Sequence, residues 1–365
     1  MNAPVLQMTD RQPALERDVF GRLPGGRVVE ILRLYGEDGF QARVITYGAG
    51  LQTLLVPDTE GRLADVVLGH DSAAGYYRDR SFFGATIGRF AGRIAHGRFA
   101  IDGQVHALIC NDRSHALHGG DEGFDRQIWS VEALGSQPEP FVTLSRISPD
   151  GEEGYPGTLD VRVTYRVSGP RELTVEYSAT TARPTVINLT HHSFFNLAGE
   201  ASGDVLNHRL TLHADQYLPV DAGTIPLGPP APVDGTPFDF RSPRPVGERI
   251  REDHEQLLLG RGYDHTFRLR TTQPGVVRLA ARLEDPVSGR ALDLLTDQPG
   301  LQLYSGNYLD GTARGKGGRL HRQSDALCLE PQGFPNAPNR QDYPSCRLDP
   351  GDVYSHRSIY RFSAA

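Results

Sequence analysis

Apolar and polar residues alternate along most of this chain, with the period of two that is typical of β-strands. Residues 161–167 read Val-Arg-Val-Thr-Tyr-Arg-Val, and residues 173–177 and 277–283 repeat the pattern. The pattern predicts further strands at 27–35, 40–47, 51–57, 98–102, 141–147 and 208–213. Helical spacing is limited to two short stretches, residues 73–77 and 246–259.

Turn sequences separate the predicted strands, for example Asp102-Gly103 and Ser168-Gly169-Pro170. Many short strands joined by tight turns predict an all-β fold, a large antiparallel β-sandwich with few short helices. No linker or internal repeat divides the chain. We therefore expect a single domain over residues 20–365, preceded by an N-terminal extension over residues 1–19.

Composition and charge narrow the class of protein. The 365 residues carry a net charge of -7 with both signs interspersed, which argues against nucleic-acid and membrane-surface partners. No apolar run reaches the roughly 18 to 20 residues of a membrane span, and residues 1–20 lack the pattern of a secretion signal. The cysteines lie far apart, without metal-ligand spacing. We expect a cytoplasmic protein, monomeric or weakly dimeric, with reduced thiols.

The segment 324–335 contains a short strand that reaches a carboxylate just before a proline. Alternation places Ala326, Cys328 and Glu330 on one face and Leu327 and Leu329 on the other. If the leucines face the core, Glu330 faces a groove, where a carboxylate can act as a general base. A solvent-exposed glutamate at a strand end is the alternative interpretation.

Two adjacent histidines follow an apolar strand in the segment 185–197. On a strand, His191 and His192 point to opposite faces, so only one of them can enter a given groove. An imidazole titrates near pH 6.5 and can therefore donate or accept a proton at neutral pH. A buried histidine with a structural role is the alternative.

Other polar residues suit a site that binds hydroxyl groups. Arg93 closes a glycine-rich segment, and His118 precedes two glycines in a loop. Asp264 lies just before a strand, and Gln302 stands alone among apolar neighbours. A buried amide needs hydrogen-bond partners, which a ligand with many hydroxyl groups would supply. For Asp264 and Gln302 the alternative is a satisfied turn or a cross-strand hydrogen bond, and for Arg93 it is a tight turn with a solvated arginine.

The remaining candidates are less informative. His115 and His118 are three residues apart, but no third ligand is near them in the sequence, so we expect no metal. Phe124, Trp129 and Tyr155 suit stacking on a sugar, although aromatic residues more often belong to a core. Nucleophile-elbow, zinc-protease, Rossmann and Walker motifs are absent.

Taken together, these segments resemble the aldose 1-epimerase (galactose mutarotase) family. The resemblance runs in family order from about residue 20 to the C-terminus, and it is carried by segments 88–94, 117–120, 123–125 with Trp129, 149–156, 192–199, 215–219, 262–265, 298–302, 306–311 and 328–330. It implies a β-supersandwich fold, a free hexose as substrate and no cofactor.

Carried over position by position, the resemblance implies that Glu330 is the catalytic base and His192 the catalytic acid. It further implies that the sugar is bound by Arg93, His118, Asp264 and Gln302. Two positions depart from the family pattern. Gly92 stands where the family often has asparagine, so one contact to a sugar hydroxyl is expected to be lost. His191 stands where a smaller polar residue is expected.

Three other functions stay open at this point. A glycosidase needs two carboxylates about 5 to 9.5 Å apart, and only Glu330 and Asp264 are candidates. A non-catalytic sugar-binding protein would not need the acid and the base. A hexose-phosphate epimerase would need several arginines or lysines around the groove.

Overall fold

The alternating segments form strands in a computed structural model that describes residues 14–270, 273 and 275–364. All pairings between the strands of its sheets are antiparallel. The N-terminal sheet has five strands, in the order Leu15–Arg22, Val28–Tyr35, Gln41–Ile45, Gly50–Pro57 and Leu63–Asp65.

Two larger sheets form the body of the fold. The nine-stranded sheet has the order Ser130–Gly135, Phe141–Ser148, Leu159–Ser168, Glu172–Thr181, Tyr354–Ala364, Arg290–Thr296, Arg278–Glu284, Arg209–Leu212 and Arg244–Pro245. The six-stranded sheet has the order Phe194–Phe195, Leu327–Gln332, Gly300–Tyr304, Asp264–Leu269, Ala214–Tyr217 and Ala231–Pro232.

Short elements connect and cover these sheets. Within the described part of the chain, five two-stranded pairs are present: Arg93–Ile94 with Ala116–Leu117, Thr190–His192 with Ala85–Ile87, Thr185–Val186 with Arg347–Leu348, Arg98–Ile101 with Gln104–Ala107, and Asp310–Arg314 with Leu320–Arg322. Single 3₁₀ turns occur at Ala95–Gly97, Phe124–Arg126, Glu152–Gly154, Lys316–Gly318 and Ala337–Asn339.

One apolar core lies between the sheets, because each sheet turns its apolar face inward. Val163 and Val175 from the nine-stranded sheet meet Leu301 and Leu329 from the six-stranded sheet, and Leu54 joins them from the N-terminal sheet. The predicted all-β sandwich with few helices is therefore confirmed.

The helix predictions had mixed outcomes. The first helix is present as Ala73–Arg78, where the Ser72 side chain accepts a hydrogen bond from the Gly75 N–H and caps the helix. The predicted helix over 246–259 is wrong, because only Glu255–Gly260 is helical. Buried Val246, Ile250 and Leu257 produce the helical spacing, although the first two lie in turns. Neither described helix is long and apolar enough to cross a membrane.

The predicted division at residue 20 stays a prediction. Residues 1–13 lie outside the described part of the chain. The first strand, Leu15–Arg22, crosses the expected boundary and pairs with Val28–Tyr35.

Candidate active site

A cavity of ≈ 530 Å³ opens on the face of the six-stranded sheet that points away from the core. That sheet contributes one side of the cavity, and the remaining walls come from loops and shorter strands. The cavity is lined by all the predicted site residues: Arg93, His118, His192, Asp264, Gln302 and Glu330. The fold therefore brings together residues that are scattered over more than half of the sequence.

Strand register explains why polar residues converge on the sheet side of the cavity. Thr266 is paired with Gln302, and Gln302 is paired with Glu330, so these three side chains form a row across neighbouring strands. Asp264 lies two residues before Thr266 and therefore points to the same face. The intervening residues, such as Leu329, point into the core.

Glu330 lies at the inner end of this row and is only 2% exposed. The alternative of a solvent-exposed glutamate is therefore wrong. The strand also continues beyond the expected end, through Pro331 to Gln332. Burial, with a smaller contribution from the charge of Asp264, raises the pKa of the Glu330 carboxyl well above its ordinary value.

His192 reaches the same point from the short strand Thr190–His192. Its Nε2 lies 3.8 Å from Oε1 of Glu330. Burial lowers the pKa of its imidazole to about 4. His191 points to the other face of the strand, where its ring contacts Tyr165 and Tyr360 with centroid distances of 5.7 Å each. The departure at position 191 is therefore accommodated in the core.

His118 enters the cavity from a backbone in the left-handed region, with φ of 53°. The backbone N–H of Gly92 donates to Nδ1 of His118 over 3.2 Å. An N–H can only donate, so the neutral imidazole must carry its proton on Nε2. Burial lowers the pKa of His118 well below the ordinary value. His118 is therefore a fixed, neutral hydrogen-bond donor.

Arg93 and Arg89 have different roles although they belong to one glycine-rich segment. Arg93 lies at the cavity, where its Nε donates to Oδ2 of Asp112 over 2.7 Å. Arg89 is 2% exposed and donates to the carbonyl oxygens of Pro156 and Gly157. Only Arg93 is thus available to a ligand, whereas Arg89 holds a loop in place.

Asp264 and Gln302 form one hydrogen-bonded unit beside Glu330. The amide nitrogen of Gln302 donates to Oδ1 of Asp264 over 2.7 Å, and Thr266 donates its hydroxyl to the Gln302 amide oxygen over 2.5 Å. The side chain of Gln302 is thereby oriented. Burial raises the pKa of Asp264 above its ordinary value.

Comparison with known proteins identifies the source of this arrangement. The sequence profile of the family "Aldose 1-epimerase" matches residues 30–361. The chain belongs to the aldose 1-epimerase family. It is 43% identical to rat galactose mutarotase over 353 residues, which cover 96% of this chain and 99% of the relative. Aldose 1-epimerase of Escherichia coli is 36% identical over 343 residues, covering 93% and 97%.

A solved structure agrees with this assignment. Galactose 1-epimerase from Lactobacillus acidophilus superimposes with a TM-score of 0.84 at 28% identity, covering 96% of this chain and 99% of that chain. The family resemblance inferred from the sequence segments is therefore confirmed. The roles of individual residues stay predictions, because they rest on the geometry of the cavity.

The cavity of this aldose 1-epimerase family member also contains residues that were not predicted from the sequence. Thr266 and Gln332 lie two residues from Asp264 and Glu330, so strand alternation alone would have found them. Phe82 had no such signal. It adopts φ of 60°, and its ring lies 5.0 Å from that of His118 and 5.6 Å from that of His192.

The aromatic residues that line the cavity are not the expected ones. Phe124, Trp129 and Tyr155 are at most 2% exposed and lie in the apolar clusters of the interior. The cavity is instead lined by four other rings, those of Phe82, Phe194, Tyr304 and Tyr308. The interpretation of the first three as a sugar platform is wrong, and their alternative role in the core holds.

Among the described residues, one group has ligand atoms close enough to hold a metal ion. It comprises His192, Cys328 and Glu330, whose ligand atoms lie within 4.8 Å of one another. Burial raises the pKa of the Cys328 thiol well above its ordinary value.

Proposed function

We propose that this chain is an aldose 1-epimerase that interconverts the α and β anomers of free hexoses such as galactose and glucose. One observation carries the proposal: a buried carboxylate and a buried imidazole, Glu330 and His192, lie 3.8 Å apart in a polar cavity. Mutarotation needs one base and one acid and no leaving group. Relatives named as galactose mutarotase and aldose 1-epimerase match nearly the full chain.

The proposed reaction moves one proton onto and one proton off the substrate. Glu330 takes the proton from the O1 hydroxyl, and His192 gives a proton to the ring oxygen O5 while the C1–O5 bond breaks. The aldehyde turns about the C1–C2 bond, and the reverse transfers close the ring as the other anomer. O1 and O5 are bonded to the same carbon, so an acid and a base that are close neighbours can reach both atoms.

The two residues share one proton throughout the cycle. Burial raises the pKa of Glu330 and lowers that of His192, so the resting pair favours the carboxylic acid with the neutral imidazole. The reactive form moves this proton to His192 and leaves Glu330 ionised. Hydroxyl groups of a bound sugar donate hydrogen bonds to the carboxylate and replace water as its solvent, which favours the ionised form.

The other cavity residues would hold the sugar in register with the pair. His118 offers a fixed N–H donor, and Arg93 offers a charged donor that Asp112 holds in place. Asp264 would accept hydrogen bonds from the sugar hydroxyl groups. Gln302, which Asp264 holds in orientation, would form hydrogen bonds to the sugar beside it. Gly92 lines the cavity without a side chain, so the contact of the family's asparagine is absent from this proposal.

A hexose phosphate is less favoured as substrate. Four arginines line the cavity: Arg80, Arg93, Arg113 and Arg261. Arg261 lies over the ring of Tyr308. The other three form ion pairs, Arg93 and Arg113 with Asp112 at 2.7 Å and 3.2 Å and Arg80 with Asp121 at 3.6 Å. Their charge is therefore partly neutralised before a ligand arrives.

A glycosidase is also less favoured. The close partner of Glu330 is an imidazole, which suits an acid–base exchange, whereas a glycosidase uses a pair of carboxylates.

Polarimetry with freshly dissolved sugars tests the proposal. The enzyme should speed the equilibration of α-D-galactose and α-D-glucose, and hexose 6-phosphates should react more slowly. A preference for the phosphates would replace this proposal with the phosphate alternative, and failure to speed any sugar would reject it.

A cytoplasmic location and a monomeric or weakly dimeric state stay predictions. The three cysteines are free in the structure.

A further inference from the structure

The imidazole of His192 has a second polar neighbour besides Glu330. Its Nδ1 lies 3.6 Å from the Sγ of Cys328, within the range of a weak hydrogen bond to sulfur. Cys328 is fully buried and precedes Glu330 by two residues, so both side chains lie on the same face of one strand. The strand that carries the proposed base thus also contacts the proposed acid.

The two histidines of the cavity differ in what meets Nδ1. At His118, a backbone N–H donates to Nδ1 and places the ring proton on Nε2. At His192, Nδ1 meets sulfur, and the carbonyl of the residue itself also favours the protonated ring. His192 is therefore the imidazole that can carry its resting proton on Nδ1 and leave the Nε2 lone pair facing the cavity.

The sulfur contact adds no charge to this environment. Burial, followed by the charges of Glu330 and Asp264, raises the pKa of the Cys328 thiol well above its ordinary value. A neutral thiol is a weak acceptor. A carboxylate in this place would stabilise the imidazolium, as carboxylates do when they hold a catalytic or metal-binding histidine.

We propose that Cys328 is a positioning residue for the acid–base pair. Its sulfur accepts the Nδ1–H of neutral His192, which leaves Nε2 free to take the proton from Glu330 and to pass it to the ring oxygen of the substrate. Because the sulfur is neutral, it orients the imidazole without trapping the proton there. This inference rests on the proposed function.

The groups around His192 leave the proton exchange to this pair. Besides Glu330 and Cys328, its ring faces His118 at 5.4 Å and Tyr304 at 6.4 Å between centroids, and both remain neutral at ordinary pH. Phe82 and Phe194 complete the surroundings at 5.6 Å and 5.1 Å. His191, the neighbour in sequence, is buried on the opposite face, and burial lowers its pKa to about 3.

Nitrogen-15 NMR of the imidazoles tests the tautomer directly. In the wild-type protein at neutral pH, His192 should show a protonated Nδ1 and an unprotonated Nε2, and His118 should show the reverse. His118 serves as the internal reference, and a His192→Asn variant assigns the signal. A wild-type His192 with its proton on Nε2 would overturn the inference. The readout needs no turnover, so its failure is distinct from a failure of the proposed function.

Variants at position 328 test the consequence for the reaction. Cys328→Ser keeps an acceptor and should keep the Nδ1–H tautomer. Cys328→Val keeps an apolar, slightly larger side chain but removes the acceptor, so His192 should become a mixture of tautomers. The loss of one weak hydrogen bond corresponds to a fall in kcat of about two- to tenfold, with KM unchanged. An unchanged tautomer and an unchanged kcat in Cys328→Val would overturn the inference.

A charged substitution separates orientation from packing. Cys328→Asp should raise the pKa of His192 and move the acidic limb of the kcat profile upward by about 1 to 3 pH units, as a close opposite charge does. A purely structural role would lower activity at every pH without moving this limb. If the aspartate variant does not fold, the comparison of serine with valine still decides between the two roles.

Discussion

A substitution of Asp264 tests whether this residue binds the sugar or takes part in the proton transfers. Asp264 is 9% exposed, its Oδ1 accepts from Gln302 over 2.7 Å, and its charge contributes to the raised pKa of Glu330. Asp264→Asn keeps the shape of the side chain, and its oxygen can still accept from Gln302. The substitution removes only the negative charge, so the row of cavity side chains should stay in place.

The size of the expected effect on kcat/KM follows from the hydrogen bonds that the negative charge of Asp264 strengthens. A hydrogen bond to a charged group contributes about 1.5 to 3 kcal/mol, which corresponds to a fall in kcat/KM of about 10- to 150-fold. We expect the loss mainly in KM, because Glu330 and His192 keep their geometry. Without the nearby charge of Asp264, the pKa of Glu330 should fall. In a plot of kcat against pH, the decline at alkaline pH (the alkaline limb) should therefore move to lower pH.

Polarimetric rates at several concentrations of α-D-galactose separate kcat from KM. Asp352→Asn is the matched control, because Asp352 is an exposed aspartate outside the cavity. An unchanged KM together with a large fall in kcat would refute this reasoning, since Asp264 would then take part in the proton transfers. An alkaline limb that stays in place would refute the electrostatic part alone.

Further predictions concern pH and stability. The rate should fall below about pH 4, because the pair then holds two protons and neither residue can act as a base. At higher pH the rate should stay high until Glu330 loses the shared proton, at a pH above the ordinary pKa of a glutamate. A narrow optimum at pH 5 would contradict this. Arg89→Met leaves buried carbonyl oxygens without donors and should lower the free energy of unfolding in urea by about 2 to 4 kcal/mol, whereas exposed Arg209→Met should change it little. Leu329→Ala, on the core side of the catalytic strand, should cost about 2 to 5 kcal/mol in the same assay, and a loss below 1 kcal/mol would contradict its place in the core.

The sequence predicts the fold well because strand alternation is a local signal. Leu327 and Leu329 face the core and Glu330 faces the cavity, as the period of two requires. The period fails where irregular turns bury residues at helical spacing. Val246, Ile250 and Leu257 are buried in this way, and only the last belongs to a helix.

The cavity is less predictable because it depends on contacts between distant segments. The pairing of Gln302 with Glu330 is a matter of register, which single strands do not encode. Phe82 lies beside both cavity histidines because of one left-handed residue in a loop. The buried state of Glu330 likewise depends on strands and loops far from it in sequence, and so do the opposite pKa shifts of Glu330 and His192.

The central claim is that Glu330 is the general base of a mutarotase, and replacing it by glutamine tests this most directly. Glu330→Gln keeps the volume and the pairing of the strand but cannot take the O1 proton. The polarimetric equilibration of α-D-galactose should slow by about 10²- to 10⁴-fold, the contribution of a general base, while Glu37→Gln, at an exposed glutamate outside the cavity, should match the wild type. A folded Glu330→Gln variant with a rate near that of the wild type would contradict the account.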